Sequence, residues 1–395
     1  MQHQAVEQML GYVYQIYYAL KLLLDSDDDE DRVCVERFDD VSVSHTDGSF
    51  DYAQLKLHQK TAGDLSDYSV DFWKTLRVWI DAINNDHEVL TKTTFLLITT
   101  SSPAAGSAVK AMTDDTPNYD EIYRILKSVA ESSTNETTAK ARGTFLNLCQ
   151  EDAITLLSHV QILNDAPNVE GVIASIKKII KNGCRVGSEQ QVYLRLIGWW
   201  NDLVVQGLSN DTPLFISKLE LRRKLSSIIS EYTEDNLPID IPRDFSHEPA
   251  TLGPQLFEKQ IELISHTEST LSHARRDYYR AYEQRSRWVR DCLINIDDLE
   301  AYDEKLTEEW ERKYDSSSTE LLGLPMVEEK DLQKQGRALY NSVMDSSIHI
   351  RAKCTTPFVM RGSYQLLADR LAVGWHRDYI QRLTAVETED SEEIQ

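Results

Sequence analysis

Acidic, amide and basic side chains that could act together lie in one short segment, residues 33–60, VCVERFDDVSVSHTDGSFDYAQLKLHQK. Two β-rich runs in this segment are separated by the acidic corner Glu36–Asp40. A turn signal, TDG at 46–48, leads into a third run, from Phe50 to His58. The pattern therefore predicts three short strands, with acidic residues between the first two.

The third run places two polar side chains on one face of its strand. Because side chains alternate along a strand, Gln54 and Lys56 point the same way, about 7 Å apart at ~3.3 Å per residue. A hairpin would bring this polar face up to Asp40 and could also reach Glu36. An acid, an amide oxygen and a lysine would then converge at the edge of a small sheet.

This combination of groups is the one that metal-dependent phosphodiester cleavage requires. Hard cations such as Mg²⁺ take oxygen ligands, and the bound ion can activate a water and stabilise the departing oxyanion. A nearby lysine can orient that water or offset phosphate charge. The same spacing also fits two ordinary amphipathic strands with a solvated polar face, and spacing alone favours that interpretation.

Three short motifs in a fixed order carry a resemblance to known nucleases. GYVYQ at 11–15, then the acidic corner, then QLK at 54–56 together resemble the PD-(D/E)xK nuclease superfamily. More narrowly, they are similar to the Cap-type double-stranded DNA endonuclease domain of bacterial anti-phage effectors. The resemblance implies a nuclease that uses Mg²⁺ (or Mn²⁺).

The resemblance also implies a role for each matching residue. Asp40 would be the metal-binding acid, Gln54 would fill the second metal-binding position, and Lys56 would be the catalytic lysine. Glu36 would be an auxiliary acid that helps to hold the metal. Gln15 would belong to a first-helix motif beside the site, together with Gly11 and Tyr12. Gln54 departs from the superfamily pattern, because a neutral amide brings less charge to a metal than a carboxylate does.

The rest of the N-terminal region supplies the elements that such a sheet needs. Apolar spacing of three and four predicts helices over residues 4–24 and 67–85, the second with Trp79 among the residues facing the sheet. The apolar run TTFLLITT at 93–100 is typical of a buried central strand. We therefore predict an α/β, PD-(D/E)xK-like domain, a small mixed sheet flanked by helices, followed by a mostly α-helical C-terminal domain.

Composition describes a soluble globular chain of 395 residues, long enough for two or three domains. No apolar run approaches ~18 residues and no signal peptide is recognisable, so we expect neither a membrane span nor secretion. Five scattered cysteines without a CxxC pair argue against disulfides and a zinc site. A reducing cytoplasm fits these features.

The net charge of −23 is unusual for a protein that binds DNA, because phosphate contacts need lysine and arginine. Part of the excess lies in the acidic runs at 25–32 and 387–395. Each run is most simply a solvated loop or terminus. A sharper hypothesis is that the acidity suppresses cutting until the protein joins or leaves a larger assembly.

The best candidate for a linker is the proline-rich and acidic segment 233–254. It would separate a nuclease domain with a helical extension, residues 1–232, from a helical partner-binding domain, residues 255–395. The second domain starts with about 59 residues, 255–313, that contain no proline or glycine. That length predicts a long helical hairpin or a coiled-coil-like pair.

The C-terminal region carries a second resemblance. DYYRAYEQRSRW at 277–288 and RGSYQLLADRLAVGWHRDY at 361–379 look like the C-terminal domain of nuclease subunits in ABC-three-component (Lamassu-type) anti-phage systems. This resemblance implies attachment to an SMC-like ATPase and a third small subunit. The chain itself has no Walker A motif, so ATP hydrolysis would belong to a partner.

These observations lead to a metal-dependent endonuclease that cleaves double-stranded DNA as the effector of a defence complex. One site cuts one strand, so we expect the chain to form a homo-oligomer on activation. Two alternatives stay open from the sequence. The N-terminal domain could be a non-catalytic module that only binds DNA or the SMC-like partner, or it could cut RNA.

Overall fold

The computed structural model contains two compact units. The first comprises Met1–Cys184 and Glu189–Ile229, and the second comprises Arg185–Ser188 and Ser230–Gln395. The structure describes residues 2–36, 39–58, 65–210, 212–245, 255–319 and 327–384.

The N-terminal unit combines helices with short strands. In chain order its elements are α1 (Gln2–Asp25), β1 (Arg32–Val35), β2 (Val41–Ser44), β3 (Phe50–Lys56), α2 (Val70–Asn85), α3 (Val89–Lys92), β4 (Thr93–Thr99), α4 (Ala108–Ala111), α5 (Tyr119–Ser132), α6 (Glu136–Leu146), α7 (Gln150–His159), β5 (Val160–Leu163), α8 (Val169–Lys181), α9 (Glu189–Ser209), β6 (Ile216–Ser217) and α10 (Lys218–Glu231). The predicted order of three strands, a helix and a fourth strand is observed, with the single turn α3 inserted before β4.

The strands form one mixed six-stranded sheet in the order β5-β4-β3-β2-β1-β6. β1, β2 and β3 are an antiparallel meander, and β4 and β5 continue the sheet in parallel with β3. Parallel neighbours need a crossover, and α2 supplies it between β3 and β4. The predicted mixed α/β fold is therefore confirmed, while its assignment to the PD-(D/E)xK superfamily stays a prediction.

Both faces of the sheet are covered. Phe95 on β4 packs in a core with Trp73 and Trp79 of α2, and both indoles are fully buried. Because side chains alternate along a strand, Leu96 and Ile98 of β4 point to the opposite face of the sheet, and both are buried as well. The predicted orientation of α2 towards the sheet is thus confirmed, and the polar end of β3 is held by a rigid apolar layer.

The acidic run after α1 is a largely exposed loop, in keeping with the prediction, and two of its acids contact neighbouring elements. Asp31 Oδ1 lies 2.8 Å from His45 Nδ1, and Asp51 Oδ2 lies 3.1 Å from His45 Nε2. Asp29 accepts a hydrogen bond at 2.7 Å from Arg222 of α10. The contacts of His45 thus join the start of β1, the end of β2 and the start of β3 at one edge of the sheet.

The C-terminal unit is helical, as predicted. Its helices are α11 (Leu256–Leu263), α12 (Glu268–Arg290), α13 (Ile296–Thr319), α14 (Glu329–Met344) and α15 (Pro357–Asp369). The predicted long hairpin over residues 255–313 is wrong. The chain breaks twice, at Ser265 and Cys292, both of which have positive φ, and α12 packs mainly against α15 while α13 packs against α14.

The contact between α12 and α15 depends on a close backbone approach at Gly362. A Cβ atom at this position would lie 2.0 Å from the carbonyl oxygen of Asp277 and 2.5 Å from the Cβ of Ala281. Neither neighbour is the flexible end of a side chain. Only glycine therefore permits this spacing of the two helices.

Part of the segment predicted as a linker packs on the C-terminal unit. The Gln284 side-chain oxygen accepts hydrogen bonds from the backbone N–H groups of Asp240 (2.7 Å) and Ile241 (3.2 Å). The indole of Trp288 donates to the carbonyl of Pro238 at 2.7 Å. Residues 246–254 lie outside the described residues, so the linker prediction stays open there.

We expect Gly362→Ala to destabilise the C-terminal unit by about 3 kcal/mol, because the new methyl group forces α12 and α15 apart. Urea unfolding followed by tryptophan fluorescence measures the change. Gly198→Ala on α9 is the matched control, since nothing lies within 4 Å of its added Cβ. That change should stabilise the protein by about 0.5–1 kcal/mol through helix propensity. Equal effects of the two substitutions would contradict the packing argument.

His45 predicts a pH-dependent contribution to stability. Partial burial lowers the pKa of His45, but the hydrogen bonds and charges of Asp31 and Asp51 outweigh it and raise the pKa overall. Stabilisation is then full below the unfolded-state pKa and is lost as the pH rises through the higher folded value.

His45→Gln should therefore cost about 1 kcal/mol at pH 6 and much less at pH 9, a modest figure because the group is partly exposed to solvent. Thermal unfolding at both pH values measures it. His87→Gln serves as the control, because His87 is exposed and lies 3.6 Å from its nearest acid, Asp152. A pH-independent loss at position 45 would refute the ionic contribution.

Candidate active site

Three of the residues singled out from the sequence meet where β2 begins and β3 ends. β2 pairs with β3 through Val41 and Ala53, so the next pair outward is Asp40 and Gln54. Gln54 Nε2 donates to Asp40 Oδ1 at 3.1 Å, and Lys56 Nζ donates to Gln54 Oε1 at 2.8 Å. The acid, the amide and the lysine thus form one continuous chain of hydrogen bonds.

The backbone of β3 also holds the acid. The N–H of Leu55 donates to Asp40 Oδ2 at 2.8 Å, while Gln54 binds the other carboxylate oxygen. Both Asp40 oxygens therefore have a fixed direction before any ligand arrives. Such preorganisation favours the binding of a cation in one geometry.

The Gln54 amide is oriented with its nitrogen towards the acids and its oxygen towards Lys56. This orientation satisfies every partner, because a carboxylate only accepts hydrogen bonds and an ammonium only donates them. A cation beside Asp40 would favour the opposite orientation, with Oε1 as a ligand. Rotation of the amide would also release Lys56 from Oε1.

Asp39 is a site residue that the sequence did not single out. Its side chain is 7% exposed and accepts hydrogen bonds from Gln54 Nε2 and, at 2.8 Å, from the indole of Trp79. Burial raises the pKa of Asp39 to about 6, aided by the charge of Asp40 and opposed by the hydrogen bonds from Gln54 and Trp79. Two adjacent acids therefore share one amide group.

One signal in the sequence could have indicated Asp39. Trp79 was predicted to face the sheet, and a buried indole N–H needs an acceptor. Asp39 and Asp40 are adjacent at the end of the acidic corner Glu36–Asp40. Spacing alone does not distinguish which of these two carboxylates turns inward.

Glu36 and Gln15 lie at the same end of the sheet. Glu36 has a positive φ of 56°, and its N–H donates to the carbonyl of Asp40 at 2.9 Å, which closes the turn between β1 and β2. Its carboxylate is hydrogen-bonded to Gln15 on α1. Partial burial and the charge of Asp40 raise the pKa of Glu36, opposed by Gln15 and Lys56. Arg37 and Phe38 lie outside the described residues.

The Gln15 side chain has spare capacity to bind a ligand. It is 9% exposed, and its oxygen Oε1 is buried without a hydrogen-bond partner among the described residues. A buried carbonyl oxygen without a partner is costly and rare. An incoming donor or cation near Glu36 would satisfy it.

The donor set suits a hydrated hard cation. In the described part of the chain, no three His, Cys, Asp or Glu side chains lie close enough together to enclose a metal ion. The oxygens available here come from Asp40, Gln54, Glu36 and Gln15, without nitrogen or sulfur ligands. Mg²⁺ and Mn²⁺ prefer oxygen ligands, and Mg²⁺ usually retains several waters. The residues therefore fit such an ion, with a weaker affinity than a site with more carboxylates would have.

Comparison with known proteins identifies part of the C-terminal unit. Residues 257–383 match the model of C-terminal domain 7 of the ABC-three component (ABC-3C) systems. No curated protein matches the chain. The family match supports the resemblance stated for the C-terminal region and leaves the one stated for the N-terminal region as a prediction.

Solved structures give only distant matches. One is the Cap4 SAVED/CARF-domain containing receptor of Acinetobacter baumannii with the cyclic trinucleotide 3'3'3'-cAAA, at 17% identity, a TM-score of 0.32, and coverage of 61% of this chain and 52% of that one. Another is the Cap4 receptor of Moraxella osloensis, at 15% identity, a TM-score of 0.34, and coverage of 68% and 60%. This chain thus spans between half and three fifths of those receptors, and similarity at this level does not establish a shared fold.

Two further findings concern larger parts of the chain. Among the described residues, no helix is both long and apolar enough to cross a membrane. Residues 257–383 match a C-terminal domain of the ABC-three-component systems, and no comparison assigns a family to the remainder of the chain.

Proposed function

We propose that this chain is a Mg²⁺-dependent (or Mn²⁺-dependent) DNA endonuclease, the effector of a bacterial Lamassu-type defence complex against phages and plasmids. An SMC-like ATPase would activate it, and a third small subunit would complete the assembly. The observation that supports the proposal most is the hydrogen-bonded series from Asp40 through Gln54 to Lys56 at the ends of two paired strands.

Each residue would have a distinct role in phosphodiester hydrolysis. Asp40 and the Gln54 oxygen would hold the cation, with Glu36 as the auxiliary acid. The chemistry that bound Mg²⁺ supplies is Lewis acidity, which favours deprotonation of a water and stabilises the departing oxyanion. Lys56 would orient the attacking water in line with the leaving oxygen and offset charge on the phosphate. Gln15 would present its free oxygen to the same site.

Asp39 would act on the reaction through Gln54. Trp79 fixes the Asp39 carboxylate, and the carboxylate in turn holds the amide of Gln54. In the observed orientation Asp39 holds the amide nitrogen towards Asp40, so coordination of a cation through Oε1 would require the Gln54 amide to rotate, and the Asp39 contact would determine how readily it does so. The apolar layer of α2 thereby contributes to the geometry of the polar site.

The charge of the chain favours delivery of DNA by partners. A net charge of −23 repels free DNA, so an assembly that already holds DNA would bring the substrate to the site. One site hydrolyses one strand. Double-strand breaks would therefore require two copies of the chain, so we expect a homo-oligomer in the active state. We expect this assembly to act in the cytoplasm.

A second function is favoured by two features of the site. Gln54 replaces a carboxylate, and the described residues include no cluster of three metal-binding side chains of the usual kind. A nuclease-like module that has lost its chemistry, and only binds DNA or the SMC-like partner as a scaffold, would tolerate both features. Cleavage of RNA in place of DNA would require the same residues. A comparison of cleavage of DNA and RNA substrates distinguishes these two activities.

We expect Lys56→Ala to reduce Mg²⁺-dependent plasmid cleavage by at least ~10²-fold, because the attacking water would lose the ammonium group that orients it and offsets charge on the phosphate. The measurement is conversion of supercoiled plasmid by the full chain, with an RNA of equal length as the comparison substrate. Lys92→Ala is the matched control, since Lys92 forms only an exposed ion pair with Glu88 on another element. Equal cutting by wild type and Lys56→Ala would refute the assignment. Absence of cutting by both, with protection of cells unchanged in Lys56→Ala, would establish the scaffold function instead.

Gln54→Glu tests the cation site without relying on activity. A third carboxylate beside Asp39 and Asp40 is repulsive unless a cation joins it. We expect the variant to melt several degrees lower in EDTA than wild type and to recover most of this loss in millimolar Mg²⁺. Differential scanning fluorimetry over a Mg²⁺ series measures the shift.

Gln161→Glu provides the matched comparison, since Gln161 is a glutamine on the exposed face of β5. Its melting temperature should change little with Mg²⁺. If Gln54→Glu likewise shows no response to Mg²⁺, the cation is not bound at these oxygens.

A further inference from the structure

The C-terminal unit has an apolar groove between α12 and α15 with a volume of about 620 Å³. Val289 of α12, Leu299 of α13 and Leu366 of α15 contribute its apolar surface. Tyr282, on the exposed side of α12, lines it and is 58% accessible to solvent. An exposed aromatic side chain over an apolar floor is typical of the centre of a protein interface.

The walls of this groove are held rigidly. Tyr278 stacks on Phe257 with ring centroids 4.6 Å apart, and its hydroxyl donates to Asp369 at 3.2 Å. On the opposite side, Arg285 and Arg370 each donate to the same oxygen of Asp303 at 2.9 Å. A groove whose lining side chains are already fixed loses little conformational entropy when a partner binds.

Past Arg370, the apolar groove adjoins an acidic one of about 560 Å³. Four glutamates of α13 line it, spaced by four, four and three residues, so they share one face of the helix: Glu300, Glu304, Glu308 and Glu311. The ion pairs that α13 forms within the described residues involve Asp298, Asp303 and Glu309 instead. Like charges at this spacing cost the helix a few tenths of a kcal/mol per pair.

We infer that this double groove binds a basic amphipathic helix from another protein subunit of the assembly. A large apolar side chain of that helix would fill the groove beside Tyr282, and its lysines or arginines would face Glu304 and Glu308. The acidic stripe from Glu300 to Glu311 spans about 16 Å at ~1.5 Å per residue, which matches about three turns of a partner helix. The same stripe repels phosphate, so nucleic acid is a poor occupant.

This inference rests on the proposed function in one respect, namely that the C-terminal domain holds the chain in its complex. It adds the location of the contact and the chemistry of the partner. The charge pattern also gives the contact a direction, because cations fit only the α13 side and the apolar anchor fits only the α12 side.

The test uses the full chain and two fluorescent helical peptides of 18 residues that carry the same leucine stripe. One peptide has lysines beside the stripe and the other has glutamates. In anisotropy titrations at 0.15 M salt, we expect the lysine peptide to bind at least tenfold more tightly. Tyr282→Ala and the double variant Glu304→Lys/Glu308→Lys should each weaken its binding at least tenfold.

The control is Glu131→Lys/Glu136→Lys, which changes two exposed glutamates of the N-terminal unit and alters the net charge equally. Lysine-peptide binding should stay within twofold of wild type in this control. Equal weakening by both double variants would show non-specific attraction and overturn the inference. A null effect of Tyr282→Ala would overturn it as well.

Coexpression with the other components of the system separates this inference from the proposed nuclease. The groove variants should fail to copurify with those components, while Mg²⁺-dependent plasmid cleavage by the isolated chain stays at the wild-type level. Copurification of the groove variants at wild-type yield would refute the docking site. Absence of Mg²⁺-dependent plasmid cleavage by the wild-type chain together with the other components would refute the proposed function without affecting the binding result.

Discussion

The candidate site depends on one constraint, the antiparallel register of β2 against β3. The Val41–Ala53 pair places Asp40 directly beside Gln54, and alternation along β3 then brings Lys56 to the same face. A slip of one residue would turn Gln54 and Lys56 into the opposite layer, because the side-chain period of a strand is two. The buried valines of β2 and the apolar core around α2 oppose that slip, so ordinary hydrophobic packing maintains the polar geometry.

The polar groups of the site lower the stability of the fold. Asp39 and Asp40 are adjacent acids, the first of them buried with its pKa raised to about 6, and one neutral amide donates to both. The Gln15 oxygen adds a buried acceptor without a partner among the described residues. Groups of this kind oppose folding, and clusters of them are typical of functional sites. In the proposed function, a cation at Asp40 would relieve the repulsion between the two acids.

The two units divide the properties of the chain between them. The N-terminal unit contains the polar residues suited to hydrolysis, and the C-terminal unit matches a domain of multi-subunit systems over residues 257–383. The basic side chains of α12 are largely engaged within their own unit, as Arg285 is with Asp303 and Ser363, so this helix is not a general phosphate-binding surface. Its exposed aromatic face, next to the acidic face of α13, suits a protein partner better than DNA.

The sequence by itself determined the helices and strands that have clear periodicity, the mixed sheet and the helical C-terminal region. It also determined that Asp40, Gln54 and Lys56 are neighbours. These features are predictable because local pattern and strand alternation are encoded within a few residues. Tertiary structure alone decided that Asp39 turns inward onto Trp79, 40 residues away, and that the Gln54 oxygen faces Lys56. It also decided that α12 pairs with α15 instead of α13. That choice depends on the close approach at Gly362, a contact between residues distant in the chain, which no local pattern records.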